Sequence, residues 1–341
     1  MSRVDKLFIE KAKEILEEGY SERDLNSQVR PVWDDGDSSQ SAYTRYTTQQ
    51  VMEYEVGEVP IINLRKIAWK TAIKEILWIY KDKCNNVKNL KEKYNVHYWD
   101  SWTNEEGSLG TAYGYQTSKT FKSPETGDYI NQVDRLIEQL RTNPLNRRLI
   151  ISLYDVDDLA DMTLIPCAFL TMWSVRGEYL DMTLVQRSGD FLAAAGPGGI
   201  NTFQYYVLLR MIAQVTGFKP GKFVHLVQNL HIYDRHIDMV KEIIEEDSDK
   251  EGPSLWVNPE VKELKDFIAR FSANKSKAKQ ATSRKKLLDK ITLDDIKPST
   301  RRYPFVGFQL SREPGNEILN IENLTITEQD KILIKDLNLR V

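Results

Sequence analysis

Apolar residues recur at helical spacing from the first residues of the chain. Val4, Leu7, Phe8, Ala12, Ile15 and Leu16 share one stripe and Gly19 is a natural stop, so residues 4–19 are predicted to form an amphipathic helix. Residues 29–42 are polar and turn-rich and read as a loop. A denser apolar pattern over 65–81, ending in Leu-Trp-Ile-Tyr, predicts a buried helix. Residues 95–116 are rich in aromatics, Gly and Asn and read as an irregular, functional loop region. Helical spacing returns over 131–143. Then strands are predicted over 149–156, 169–175 and 178–188, the last two joined by a short turn at Arg176-Gly177. Residues 203–217 form a nearly continuous apolar helix closed by Gly217, and 222–236 opens as a strand that gives way to a helix near Asp234. Short strand-like patterns return over 317–341, and no internal repeat is present. Helices first, then clustered strands, buried helices and a few late strands make an α+β pattern.

Composition narrows the class. With 341 residues, 41% apolar and 28% charged, the chain is an ordinary globular sequence that can bury a large core without disulfides or metal. A net charge of −3 gives no global drive toward nucleic acid or a membrane surface, although a local Arg cluster would suffice for a small anion. The two cysteines, Cys84 and Cys167, lack the spacing of a zinc site, so no metal is expected. The opening residues lack an apolar signal region and no stretch approaches a membrane span, so a reducing, cytoplasmic setting is expected. The segment 273–286 is dense in Lys and Arg and poor in apolar residues; it reads as an exposed insertion, most simply a solvated one.

Candidate chemistry centres on Cys167. Its neighbours Leu164, Ile165, Pro166, Phe169 and Leu170 alone fit a small buried core residue. The arginines change that picture. Arg147 and Arg148 precede an apolar strand and Arg187 ends another; guanidinium forks bind phosphate, and positive charge favours a thiolate. Read alone, Arg147 and Arg148 also fit a surface ion pair. The run Gln186-Arg187-Ser188-Gly189-Asp190 enters a Gly/Ala-rich loop, 191–201, whose amides could help hold an oxyanion, but the spacing is that of neither a P-loop nor a dinucleotide fingerprint.

These motifs together resemble the thymidylate synthase family, which includes the deoxypyrimidine nucleotide hydroxymethylases. Asn-Arg-Arg-Leu-Ile-Ile (146–151), Ile-Pro-Cys (165–167), Gln-Arg-Ser-Gly-Asp (186–190) and His-Ile-Tyr-Asp-Arg-His (231–236) match in order, as do 74–80 and 98–116 upstream. The likeness covers roughly residues 1–265 and fades toward the C-terminus. It implies a mixed, twisted central sheet covered by helices and a dimer formed through the sheet face. It also implies one catalytic domain over 1–341, with an exposed basic insertion near 272–290 and a divergent segment over 291–341.

The implied reaction is one-carbon transfer from 5,10-methylenetetrahydrofolate to C5 of dUMP. The Cys167 thiolate adds to C6 of uracil and makes C5 a carbon nucleophile. C5 attacks the folate methylene, and loss of the C5 proton releases the folate and leaves an exocyclic methylene. Hydride then gives the methyl product of a synthase, the expected outcome; water would give the hydroxymethyl product. The resemblance assigns phosphate to Arg30, Arg187 and Ser188, with Arg147 and Arg148 reaching across a homodimer into the partner's site. Gln186 falls among the nucleotide ligands. Asn201 takes the base-reading position, where an amide can donate to O4 and accept from N3–H of uracil. His231 and Tyr233 match sugar-hydroxyl ligands, and their spacing puts both on one strand face. Glu75 matches the catalytic glutamate; within an apolar run its pKa should be raised. Trp99, Trp102, Leu164 and Asp190 fall on the folate side, Asp190 also among the substrate ligands, and Tyr113 lines the site. Otherwise His231 would be a structural histidine, Glu75 a surface glutamate and the tryptophans core residues.

Several positions depart from the family. Ala168 follows the nucleophile where many members have His. The loop 191–200 is longer than the common form, and Val227-Gln228-Asn229 stands where Gly-Gly-Asp is frequent. The chain ends Ile-Leu-Ile-Lys-Asp-Leu-Asn-Leu-Arg-Val instead of the short apolar tail that closes over folate. A reshaped loop and tail could admit water, which keeps the hydroxymethylase as the alternative. A catalytically weak relative that binds nucleotide or RNA is a further alternative, but a binding module has no need for a nucleophile beside a buried acid. Membrane and nucleic-acid partners are not expected.

Overall fold

A computed structural model describes residues 1–25, 42–257, 320–328 and 331–340. It divides into two compact units, Met1–Val257 and Asn258–Val341. Arg30, most of the expected loop 29–42 and the basic segment 273–286 lie outside the described residues.

The first unit opens on helix α1, Arg3–Glu18, nucleated by a reciprocal capping box between Ser2 and Asp5 and ended at Gly19. Its buried stripe is Val4, Phe8, Ala12 and Ile15, with Leu7 and Leu16 half-buried at its margins. Strands β1 (Tyr20–Ser21) and β2 (Thr44–Tyr54) follow. Helix α2 (Trp69–Ile76) starts later than its periodicity predicts, and Arg65 ahead of it donates to the carbonyl of Leu192. It widens into a π-helical turn, Leu77–Lys81, whose Leu-Trp-Ile-Tyr run is buried as predicted.

Helix α3 (Val87–Tyr94) is capped by Asn86 and ends on a left-handed Asn95. The region 95–116 is irregular, as predicted, apart from one 3-10 turn at Asp100–Trp102 and the start of a short helix α4, Gly114–Ser118. A small hairpin, β3 (Thr120–Lys122) and β4 (Tyr129–Asn131), leads into α5 (Gln132–Thr142), capped by Asn131. Strand β5 keeps only Ile150–Ser152 of the predicted 149–156, since Asp155 caps a 3-10 turn at Val156–Asp161 and ends the extended run. The hairpin β6 (Ala168–Arg176) and β7 (Tyr179–Gln186) forms around the expected turn.

After β8 (Gly189–Asp190) and a π-helical turn (Phe191–Ala195) comes α6, Ile200–Thr216. Its apolar residues run nearly all round, which suits a central buried helix, and Gly217 closes it at φ 84°. Strand β9 spans Lys219–Tyr233 and α7 Ile237–Glu245. In the second unit, β10 (Asn320–Glu328) and β11 (Lys331–Arg340) pair antiparallel, where strand-like patterns are expected.

The main sheet runs β1-β2-β9-β7-β6-β5, with β8 alongside β9. β7 and β8 pair with β9 in parallel and the other pairs are antiparallel, so the sheet is mixed. One face forms the core: Met52, His225, Leu184, Thr171 and Ile151 lie in register across it and are all buried. The opposite face carries Val224, Thr183, Met172 and Ile150 in the next register, half-exposed or exposed. The α+β class and the helix-covered mixed sheet are therefore as expected.

Candidate active site

Cys167 sits immediately before β6, where the loop from Leu164 enters the sheet. Arg187, at the far end of β7, crosses back to it. The Arg187 guanidinium donates to the carbonyls of Ile165 (2.7 Å) and Pro166 (3.1 Å), and its backbone N–H donates to the Cys167 carbonyl (2.9 Å). Those bonds hold a fixed positive charge beside a free thiol. Burial pushes the Cys167 thiol above its ordinary pKa, and Arg187 works against that rise.

Glu75, on α2, is 3% exposed. Burial raises its pKa to about 7, against the pull of hydrogen bonds from Trp99 and Gln204. The Trp99 indole N–H donates at 2.9 Å, and Tyr98 and Gln204 donate to the other carboxylate oxygen. A carboxyl poised near neutrality can both give and take a proton. Trp99 meets Trp102 edge-on at 5.8 Å and Tyr113 at 5.1 Å. Tyr113 holds a positive φ of 49°, which is strained for a bulky residue, and a backbone hydrogen bond ties its hydroxyl to Cys167. One wall of aromatic rings thus connects the acid to the nucleophile.

Amide side chains connect the next elements. Gln186, at the end of β7, donates to the Ser188 carbonyl (3.0 Å) and to Asn201 Oδ1 (3.3 Å). Asn201, in the first turn of α6, donates to Gln204 Oε1 at 3.0 Å, and Gln204 donates to Glu75. Gly189 permits the close turn behind this row: a Cβ there would come within 2.1 Å of the Ala195 Cβ.

His231 and Tyr233 lie on one face of β9, their rings edge-on at 5.1 Å. Burial lowers the pKa of His231, opposed by Asp190 and Glu22, and its Nδ1 contacts Asn229 Oδ1 at 2.8 Å. Asp190 pairs in register with His231; its Oδ1 accepts from the amides of Leu192 and Ala193, capping the π-helical turn. The longer loop 191–200 is pinned there, with Phe191 stacked on Phe8 at 4.8 Å. Ala168 leaves its carbonyl to the Tyr205 hydroxyl, 3.2 Å away.

Within the chain, Cys167, Arg187, Tyr113, Glu75, Trp99, Trp102, Gln186 and Asn201 are linked by contact, and Asp190, His231 and Tyr233 form a second set at β8 and β9. Arg147 and Arg148 are exposed before the edge strand β5, with no side-chain partner among the described residues. Leu164 is half-buried. Tyr98, Gln204 and His225 escaped sequence reasoning; only Gln204 carried a signal, three residues after Asn201 on a helix. No group that could hold a metal ion occurs among the described residues, nor any helix long and apolar enough to cross a membrane.

A thiol under a fixed cation, wired through an aromatic wall to a carboxyl near neutral pKa, is equipment for covalent addition followed by proton transfer. The thymidylate synthase sequence profile matches residues 6–282. Thymidylate synthase 1 of Bacillus spizizenii is 42% identical over 267 residues, covering 78% of this chain and 92% of the relative. The thymidylate synthase of Bacillus phage phi3T matches with the same identity and coverage. The solved structure of a thermostable thymidylate synthase A from Bacillus subtilis superposes with a TM-score of 0.70 at 41% identity, covering 77% of this chain and 91% of that one. The chain belongs to the thymidylate synthase family.

Proposed function

We propose that the site methylates dUMP at C5, using 5,10-methylenetetrahydrofolate as co-substrate, through a covalent bond between Cys167 and C6. The chain is a folate-dependent pyrimidine C5 methyltransferase. The carrying observation is Arg187 clamped over the Cys167 loop while Gln204 and Trp99 deliver Glu75 to the same site. Cys167 supplies the nucleophile, and Glu75 holds the proton that moves as charge develops on the ring. Arg187, Ser188 and Arg30 take the phosphate, and His231 and Tyr233 take the sugar hydroxyl. Folate, when bound, supplies the one-carbon unit and then the hydride. The edge-on indoles of Trp99 and Trp102 and the half-buried Leu164 fit a flat pterin, and Asp190 Oδ2, outside the capping bonds and 3.8 Å from His236 Nδ1, can accept from a ring N–H. The named relatives favour the methyl product over the hydroxymethyl alternative, and a non-catalytic binding role leaves Glu75 unexplained. One catalytic domain, with 272–290 and 291–341 as additions to it, and a cytoplasmic setting complete the reading.

Asn201 reads the base. With one amide hydrogen on Gln204 and one lone pair on Gln186, it keeps a second hydrogen for O4 and a second lone pair for N3–H of uracil. Asn201→Asp is therefore expected to lose most dUMP turnover, by about one to two orders of magnitude, and to gain use of the cytosine nucleotide. Competition assays with both nucleotides check this; unchanged preference would refute the assignment.

The working form is a homodimer. Exposed Ile150 (43%) and Met172 (40%) pair across one sheet face, and Val51 (44%) extends the same face on β2. Such an apolar face fits a self-complementary interface, and the unpaired Arg147 and Arg148 beside it fit cross-subunit phosphate ligands. Cys167→Ser and Arg148→Ala proteins, each impaired alone, are expected to regain activity when mixed and allowed to exchange subunits. Heterodimers without any recovery would rule out the shared site.

A further inference from the structure

His225 lies at the middle of β9 on the core face of the sheet, 0% exposed. Its Nδ1 is 3.1 Å from Thr202 Oγ1 and its Nε2 is 3.0 Å from Gln186 Oε1. Burial holds its pKa down to about 3, so the ring is neutral and carries one N–H. Gln186 Oε1 can only accept, because the amide's nitrogen is spent on Ser188 and Asn201. The proton therefore sits on Nε2, and Nδ1 accepts from the Thr202 hydroxyl. The Thr202 hydroxyl also reaches the Gly196 carbonyl at 3.0 Å and can donate there instead; with the proton on Nε2 it turns to Nδ1, which can then only accept. Donors then point one way along the whole row: Thr202 to His225, His225 to Gln186, Gln186 to Asn201, Asn201 to Gln204, and Gln204 to Glu75.

We propose that His225 is a positioning residue that fixes which way the Asn201 amide faces, and so makes the site read uracil in preference to cytosine. The proposal rests on Asn201 reading the base. A carboxamide has nearly the same shape in both orientations, so its hydrogen-bond partners decide between them. In the orientation set by the row, nitrogen faces O4 and oxygen faces N3–H. Reversed, oxygen would meet the exocyclic amine of cytosine and nitrogen its bare N3. Glu75 anchors one end, but a carboxyl that titrates near neutrality can donate as well as accept. His225, touching neither substrate nor Glu75, holds the row from its other end. Without its N–H, Gln186 Oε1 is left buried and unpaired, a costly state relieved by turning the Gln186 amide and then Asn201.

The test compares wild type, His225→Phe and His225→Gln in kcat/KM for dUMP and for dCMP, with melting curves alongside. The phenyl ring fills the space without a donor; the glutamine amide can replace the Nε2–H. His225→Phe is expected to raise KM for dUMP and lower the dUMP:dCMP ratio by on the order of tenfold or more, with most of the ratio restored in His225→Gln. A folded His225→Phe protein with the wild-type ratio overturns the proposal. Should that variant fail to fold, imidazole nitrogen NMR of the wild-type protein decides: a proton on Nε2 supports the row, and a proton on Nδ1 or a doubly protonated ring overturns it. A wild type that prefers dCMP overturns the uracil reading of Asn201 itself, and the specificity claim with it. Normal wild-type preference with an unresponsive His225→Phe sinks only the role of His225.

Discussion

Cys167→Ser is expected to reduce turnover by about four orders of magnitude or more while leaving dUMP binding nearly intact. The sulfur is the atom that adds to C6, and a serine hydroxyl has too high a pKa to replace it. Binding survives because the contacts proposed to hold the nucleotide come from elsewhere: Arg187 is fixed by the carbonyls of Ile165 and Pro166, and Asn201 by Gln186 and Gln204. Calorimetry of the variant with dUMP, beside steady-state turnover, separates the two effects. Turnover within tenfold of wild type would remove Cys167 from the reaction.

Glu75→Gln is expected to lower kcat by about two to four orders of magnitude, the usual range for a positioned acid or base. The change also alters the pH profile. Burial raises Glu75 to about 7, so its protonated fraction falls as pH rises through neutrality. Burial also raises Cys167, so its thiolate fraction grows over the alkaline range. A step that draws on protonated Glu75 and one that needs the thiolate pull in opposite directions, giving a bell-shaped dependence of kcat/KM. Because the thiol's pKa lies above that of Glu75, the rise levels off near 7 and the fall comes in the alkaline range. In Glu75→Gln the break near 7 and the alkaline fall should both vanish, leaving a rise that continues with the thiolate fraction. Persistence of that inflection would assign it to another group.

The elements most legible in the sequence were those with one strong period. α1, α5 and α6 declared themselves through apolar spacing, α1 and α6 also through a closing Gly, and β6 and β7 through the Arg176-Gly177 turn. Strand β2 did not: its buried positions include Thr44, Thr47 and Gln50, polar residues that hide the alternation, and Gln50 is buried against Glu14 and Lys11 of α1. The start of α2 was not legible either: the apolar spacing runs from residue 65, while the helix begins at Trp69. Among the site residues, the burial of Glu75 follows from its apolar run, and the fit of His231 to Tyr233 from strand spacing. The amide row was illegible because Gln186, Asn201, Gln204 and His225 come from three elements that only the folded sheet and helix bring together.

The central claim is methyl transfer to dUMP, and one incubation tests it. Wild-type protein, dUMP and 5,10-methylenetetrahydrofolate are combined, and the nucleotide is read by mass while dihydrofolate is followed by its near-ultraviolet absorbance. The account predicts a product heavier by one methyl increment and dihydrofolate formed in equal amount. A product heavier by a hydroxymethyl increment with no dihydrofolate, or no product at all, would contradict it.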